Sequence, residues 1–165
     1  MLGLTSLGTF HTAVSLIAVA AGAFALVRDR QITWDNRVGK IYVVSTVIVC
    51  ITGFGIFQHG GFGKPHALGI ITLLVLCIAF ASGKKTSLFG RFSPYIETVS
   101  YSMTFFFHVI PGITETTTRL PRSAPLASGP DDPHIKMAIG VCFLLFLLGA
   151  TLQVRNLRAR LRTGI

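Results

Sequence analysis

Apolar residues dominate five stretches of the chain, near residues 7–27, 41–57, 66–82, 95–110 and 135–154, with polar residues gathered between them. A membrane-crossing helix needs roughly 20 mostly apolar residues, with about 17 as the lower bound. The first and fifth stretches meet that length, the second and third lie near the bound, and the fourth is short and the least apolar. Backbone in lipid must satisfy its own hydrogen bonds, so each stretch is predicted to be a helix. The expected fold is therefore all-α: a single transmembrane domain over residues 1–165, built as a bundle of five transmembrane helices.

Composition agrees with that pattern. Hydrophobic residues make up 51% of the chain and charged residues only 13%, about half the charged fraction of an ordinary soluble domain. The mean hydropathy is +0.66. Eleven of the 15 Lys and Arg residues fall in the segments after the first, third and fifth stretches: Arg28, Arg30, Arg37, Lys40, Lys84, Lys85, Arg91, Arg155, Arg158, Arg160 and Arg162. The other four, Lys64, Arg119, Arg122 and Lys136, fall on the opposite side. The excess of positive charge marks the cytoplasmic side, which predicts an N-out, C-in chain in a bacterial cytoplasmic membrane. The net charge of +9 comes mostly from that side. An Arg cluster directly against a span faces anionic lipid headgroups, so the lipid bilayer rather than nucleic acid is the expected partner. The first stretch has A-x-A steps near residues 18–25, but its positive charge follows it instead of preceding it, so it reads as a retained span and not a signal peptide. Cys50, Cys77 and Cys142 all lie inside apolar stretches with no C-x-x-C pair, which excludes a disulfide framework.

The candidate chemistry lies in five histidines, His11, His59, His66, His108 and His134, which the charge rule sorts to one face, the outer one. Imidazole binds metals and haem and exchanges protons near neutral pH. His59 to His66 reads His-Gly-Gly-Phe-Gly-Lys-Pro-His, a tight glycine-rich connection between the second and third spans. It is not a phosphate loop, because Pro65 follows Lys64 where Ser or Thr is needed. On the fourth span Glu97, Ser100, Tyr101, Thr104 and His108 recur at steps of three and four, which places them on one helical face. Polar groups at membrane depth face a bundle interior or a water-filled cavity. The prolines from Pro111 to Pro133 predict a long outer loop over residues 111–133. Asp131-Asp132-Pro133-His134 has the composition of a metal site but also that of an ordinary helix start.

With the spans placed, three motifs resemble an uncharacterised family of small bacterial membrane proteins, the "domain of unknown function 2306" group. They are His11-Thr-Ala-Val-Ser-Leu-Ile-Ala, Trp34-Asp-Asn-Arg37-Val-Gly39-Lys-Ile-Tyr42, and Gly60-Gly-Phe-Gly-Lys-Pro-His66-Ala-Leu. The second motif departs from the family's His-Arg-x-x-Gly-Arg-x-Tyr form, so a cytoplasmic histidine has no support here. The resemblance covers roughly residues 8–110 and implies a multi-spanning helical bundle with histidines opening spans one and three; it implies no activity.

Three functional readings follow. The first is a histidine-ligated redox or metal-binding membrane protein. Haem b would be held between two of His11, His66 and His108, with His59 in reserve and Lys64, Arg119 and Arg122 as partners for its propionates. In the metal form of this reading, zinc or copper would take the same histidines, with Glu115, Asp131 and Asp132 as oxygen donors. The second reading is a small transporter or proton-linked channel with Glu97, Tyr101 and Thr104 as its polar pathway. The third is an accessory subunit of a membrane complex with no cofactor. The expected protein partners are further copies of the chain or a redox protein.

Overall fold

The structure is a computed structural model that describes residues 5–57, 61–84, 89–121 and 123–163. These residues form five helices: α1 (Ser6–Asp29), α2 (Arg37–Gly53), α3 (Lys64–Gly83), α4 (Ser93–Arg119) and α5 (Pro133–Thr163), with a 3-10 turn at Gly90–Phe92 before α4. No strand occurs among the described residues.

Local chemistry sets the helix ends. Thr5 caps α1 by accepting the Gly8 N–H, and Asn36 caps α2 by accepting the Gly39 N–H. Pro65 and Pro94 stand in the first turns of α3 and α4, where a missing N–H leaves no bond unmade. The helix of the second apolar stretch runs four residues short of the expected end at 57, because Gly53 and Gly55 weaken it. The chain turns there as Phe54 donates its N–H to Cys50, and the Phe54 ring packs over Gly69 of α3. The fourth helix departs further from expectation. It does not end at Pro111 but continues to Arg119, which shortens the connection to α5 to residues 120–132. The ring of Pro111 removes one backbone bond. The turns beyond it are held by side chains: Thr114, Thr117 and Thr118 donate to the carbonyls of Ile110, Ile113 and Thr114, and Glu115 pairs with Arg119 one turn on.

α1 packs on α2, α2 on α3, α3 on α4, and α4 on both α5 and α1. A buried cluster of Ala25, Ile32, Tyr42, Val43, Leu76, Ala79 and Tyr101 joins four of the helices. Gly22 makes the α1 contact close. A Cβ there would lie 2.6 Å from the Phe105 ring and 2.9 Å from the Tyr42 ring. Trp34, in the turn between α1 and α2, sets its ring edge-on to Phe80 of α3 at 5.2 Å and so ties that turn to the bundle.

The polarity of the molecule is inverted relative to a water-soluble bundle. Thr46 and Thr104 are fully buried, while Val27 is 84% exposed and Leu144 65%. Large apolar side chains cover the outside of α1, α3 and α5. These three helices are long and apolar enough to cross a membrane. α2 is 17 residues long, and α4 carries the polar stripe inside the bundle. Contacts also sort the ends. Gln153 of α5 bonds to Arg30, and Glu97 of α4 meets Thr33 and Gly83, at one end of the bundle. At the other end His11 meets Thr52, and Lys64 meets Asp131.

The tightest backbone contact predicts a sharp mutational asymmetry. A Cβ on Gly39 would fall 1.7 Å from the carbonyl oxygen of Thr33, a backbone atom that no rotamer change can move. Gly39→Ala should destabilise the bundle by about 3 kcal/mol. Gly112, with open space around it, should accept Ala and gain up to about 1 kcal/mol of helix propensity. Thermal melts in detergent, followed by circular dichroism, check both; equal midpoints for the two variants would contradict this packing.

Candidate functional site

The polar groups of α4 meet those of α2 across the bundle centre. The backbones of α2 and α4 do not touch, so side chains bridge the gap. The Tyr42 hydroxyl meets the Thr104 hydroxyl at 2.8 Å, and Nε2 of His108 meets the Thr46 hydroxyl at 3.0 Å. The Tyr42 ring lies edge-on to His108 with centroids 6.0 Å apart. All four residues are buried.

A hydroxyl has one proton to give, and this fixes the direction of the string. Thr104 donates to the Tyr101 carbonyl at 2.8 Å, so it accepts from Tyr42. Thr46 donates to the Tyr42 carbonyl at 2.8 Å, so it accepts from His108. The neutral His108 ring then carries its proton on Nε2 and leaves Nδ1 as a bare acceptor. On α1 the same reasoning applies to His11. Thr52 donates to the carbonyl of Ile48, so its hydroxyl accepts from Nδ1 of His11 at 3.0 Å and Nε2 is left unprotonated.

His66 stands apart from this pair. Its ring is stacked between Phe57 and Phe62, at 5.1 and 5.3 Å. Nδ1 accepts the Gly63 N–H at 3.2 Å and closes the first turn of α3. The neutral ring therefore carries its proton on Nε2, which is buried and has no hydrogen-bond partner among the described residues. Here His66 acts as a helix cap and presents no unprotonated nitrogen. No group of three His, Cys, Asp or Glu side chains able to hold a metal occurs among the described residues. His59 and Arg122 lie outside the described residues.

At the opposite end of α4 the half-buried Glu97 packs on Gly83, where a Cβ would come within 2.5 Å of its carboxylate. The Thr33 hydroxyl stands 3.5 Å from Oε1 of Glu97 and 3.5 Å from Oδ2 of Asp35, so two carboxylates gather around one hydroxyl. One turn along α4 from Glu97, the hydroxyl of Tyr101 is buried without a partner among the described residues. Ser102, one position round, donates to Gln153 and binds α5 to the same layer. Tyr42 and Thr46 complete the string from α2, and the sequence reading did not include them. Their signal was available: Tyr42, Thr46 and Gly53 fall at helical spacing on one face of a span otherwise read as plain apolar.

The connection between α4 and α5 is anchored by charge. Lys64 bonds to Asp131 at 2.9 Å, with Lys136 at 3.6 Å from the same oxygen. The Lys64 hydrogen bond holds the Asp131 carboxyl below the usual carboxylate range. Asp132 accepts the His134 N–H at 2.9 Å and two bonds from Ser128, which also holds its carboxyl low. His134 is thus at a capped helix start, and Asp131 and Asp132 serve as tether and cap. Acidification through those depressed values protonates both carboxyls and releases the connection. Arg119 engages Glu115 on its own helix.

Compared with known proteins, the chain matches no protein-family model, no curated protein and no solved structure. The resemblance to the "domain of unknown function 2306" group therefore rests on the three motifs alone.

The hydrogen-bond directions make a prediction. Thr46→Val leaves the buried Nε2–H of His108 without its acceptor and should cost about 1–3 kcal/mol. Tyr101→Phe removes a hydroxyl that bonds to nothing among the described residues and should leave stability equal or higher. Thermal melts of the two variants, with the ring nitrogen shifts of His108 read by NMR, check this. A costly Tyr101→Phe together with a neutral Thr46→Val would reverse the assignment.

Proposed function

We propose that the chain is a five-span membrane protein, N-out and C-in in a bacterial cytoplasmic membrane, whose α2–α4 seam carries protons between the Glu97 end and the His108 end. The observation that carries this reading is the string of two buried pairs, Tyr42 with Thr104 and Thr46 with His108, set one helical turn apart, with the buried Tyr101 hydroxyl and the Glu97 carboxylate one and two turns back along α4. Hydroxyls rotate between donors and acceptors, so such a string can hand a proton along without moving a helix. The unpartnered Tyr101 hydroxyl is the place where one water would join the string to Glu97. The inverted polarity of the bundle and the charge split between its ends support the membrane setting and its orientation.

One test uses the purified chain in liposomes loaded with a pH-sensitive dye, with a potassium gradient to set the voltage. Glu97→Gln and Tyr42→Phe should each lower proton flux by about 10²-fold. Thr151→Ala, on the exposed face of α5, should leave flux unchanged. Flux from wild type equal to that of empty liposomes, or unaffected by Glu97→Gln, would sink the reading.

A second reading has its own supporting observation. His11 and His108 each leave one unprotonated nitrogen while donating from the other to a threonine, the arrangement that orients imidazole ligands. Under this reading the pair holds haem b or a zinc or copper ion, and His66 serves as a cap. Absorbance in the Soret region and metal content per chain decide it. Wild type should then retain cofactor, and His11→Ala and His108→Ala should lose it while His134→Ala does not.

Orientation is tested by cysteine labelling. A periplasmic, membrane-impermeant thiol reagent should reach Lys64→Cys and Ser123→Cys but not Lys84→Cys; the opposite pattern would invert the topology.

A further inference from the structure

The end of α1, the turn that follows it and the last turns of α5 line a cavity of about 540 Å³ that is open to the surface. Its lining includes Arg28, Asp29, Arg30, Gln31, Asn36 and Arg160. The only carboxylate among these six is already matched. Arg28 donates to both oxygens of Asp29, at 2.7 and 2.6 Å, and the Asn36 amide donates to the same group at 3.2 Å. Arg30 and Arg160 form no ion pair among the described residues. Three guanidinium groups thus face one neutralised carboxylate, with the Gln31 side chain as a further donor.

The backbone gives a second, independent indication. Arg30 ends α1 in the left-handed conformation, with φ of 58°. Glycine adopts that conformation without strain, whereas a residue with a Cβ is strained there. The position is nonetheless held firmly. The Arg30 carbonyl accepts the Gln153 amide at 2.8 Å, and Gln153 in turn accepts the Ser102 hydroxyl at 2.9 Å. The left-handed Arg30 ends α1, is locked by α5 and α4, and lines a cavity with unmatched positive charge.

We propose that this cavity binds a phosphate-bearing anion through Arg30 and Arg160. Guanidinium groups bind phosphate oxygens in pairs of parallel hydrogen bonds. The phosphate can belong to the headgroup of an anionic phospholipid at the cytoplasmic surface, a source that rests on the membrane orientation proposed above, or to a free anion in solution. The site shares Thr33 with the Glu97 end of the seam, but its test does not read proton flux.

The experiment titrates the purified full chain in a neutral detergent with dioctanoyl phosphatidylglycerol, dioctanoyl phosphatidylcholine and inorganic phosphate, reading binding by calorimetry and by the shift in melting temperature. Saturable binding of phosphatidylglycerol well above that of inorganic phosphate assigns a lipid headgroup. Comparable binding of inorganic phosphate assigns a free anion. In either case Arg30→Gly and Arg160→Gln should each weaken binding about tenfold, equivalent to about 1.4 kcal/mol. Arg30→Gly separates binding from folding, because glycine suits the left-handed position, so the ligand-free melting temperature should stay level or rise. Arg162→Gln should bind as wild type does. The proposal is overturned if neither anion binds saturably, if phosphatidylcholine binds as tightly as phosphatidylglycerol, or if both cavity variants keep wild-type affinity.

Discussion

The hydrogen bond between Tyr42 and Thr104 closes a gap that the backbones of α2 and α4 leave open. In a low-dielectric interior a hydroxyl without a partner is costly, so each polar group placed there must find another. Tyr42 and Thr104 answer each other, as do Thr46 and His108, and together they set the spacing and rotation of the two inner helices. The remaining helices follow from that pair. α1 closes on α2 where Gly22 admits the Tyr42 and Phe105 rings, α3 lies against α4 over Leu76 and Ala79, and α5 is tied to the layer by Gln153.

The same constraint explains the inverted distribution of side chains. Tyr, Thr and His are gathered inside, and Leu, Ile and Val are left facing outward. Outward apolar faces on three helices long enough to cross a bilayer are what lipid stabilises, and no water-soluble bundle would leave them uncovered. The packing relies on small residues and rings: Gly22 and Gly69 admit aromatic rings, and Gly39 admits the backbone of the α1–α2 turn, where a Cβ would be excluded.

The chemistry divides between the two ends of the bundle. One end holds the His11 and His108 imidazoles, each donating to a threonine hydroxyl that in turn donates to a backbone carbonyl. The other holds the Glu97 and Asp35 carboxylates around Thr33 and, beside them, the arginine-lined cavity. The α1–α2 turn connects these features, because Thr33 meets Glu97 and the turn itself lines the cavity. A bound anion there would therefore sit close to the carboxylate end of the seam.

Much of the fold was legible in the sequence because it depends on local, one-dimensional properties. Runs of apolar residues and the helical spacing of Glu97, Tyr101, Thr104 and His108 are readable along the chain, and each found its helix. Pro111 misled because a proline reads as a helix end, whereas threonine side chains beyond it stabilise further turns. The grouping of His11, His66 and His108 into one site rested on depth alone, and depth says nothing of which way a ring points. Only the tertiary structure decided that His11 and His108 each donate to a threonine of α2 while His66 turns back to cap its own helix. It alone paired Tyr42 with Thr104, since helical spacing marks the polar face of each segment but which faces of two helices meet depends on packing across the bundle. The cavity at Arg30 belongs with these, for its walls come from residues more than a hundred positions apart, and a single left-handed residue shapes it.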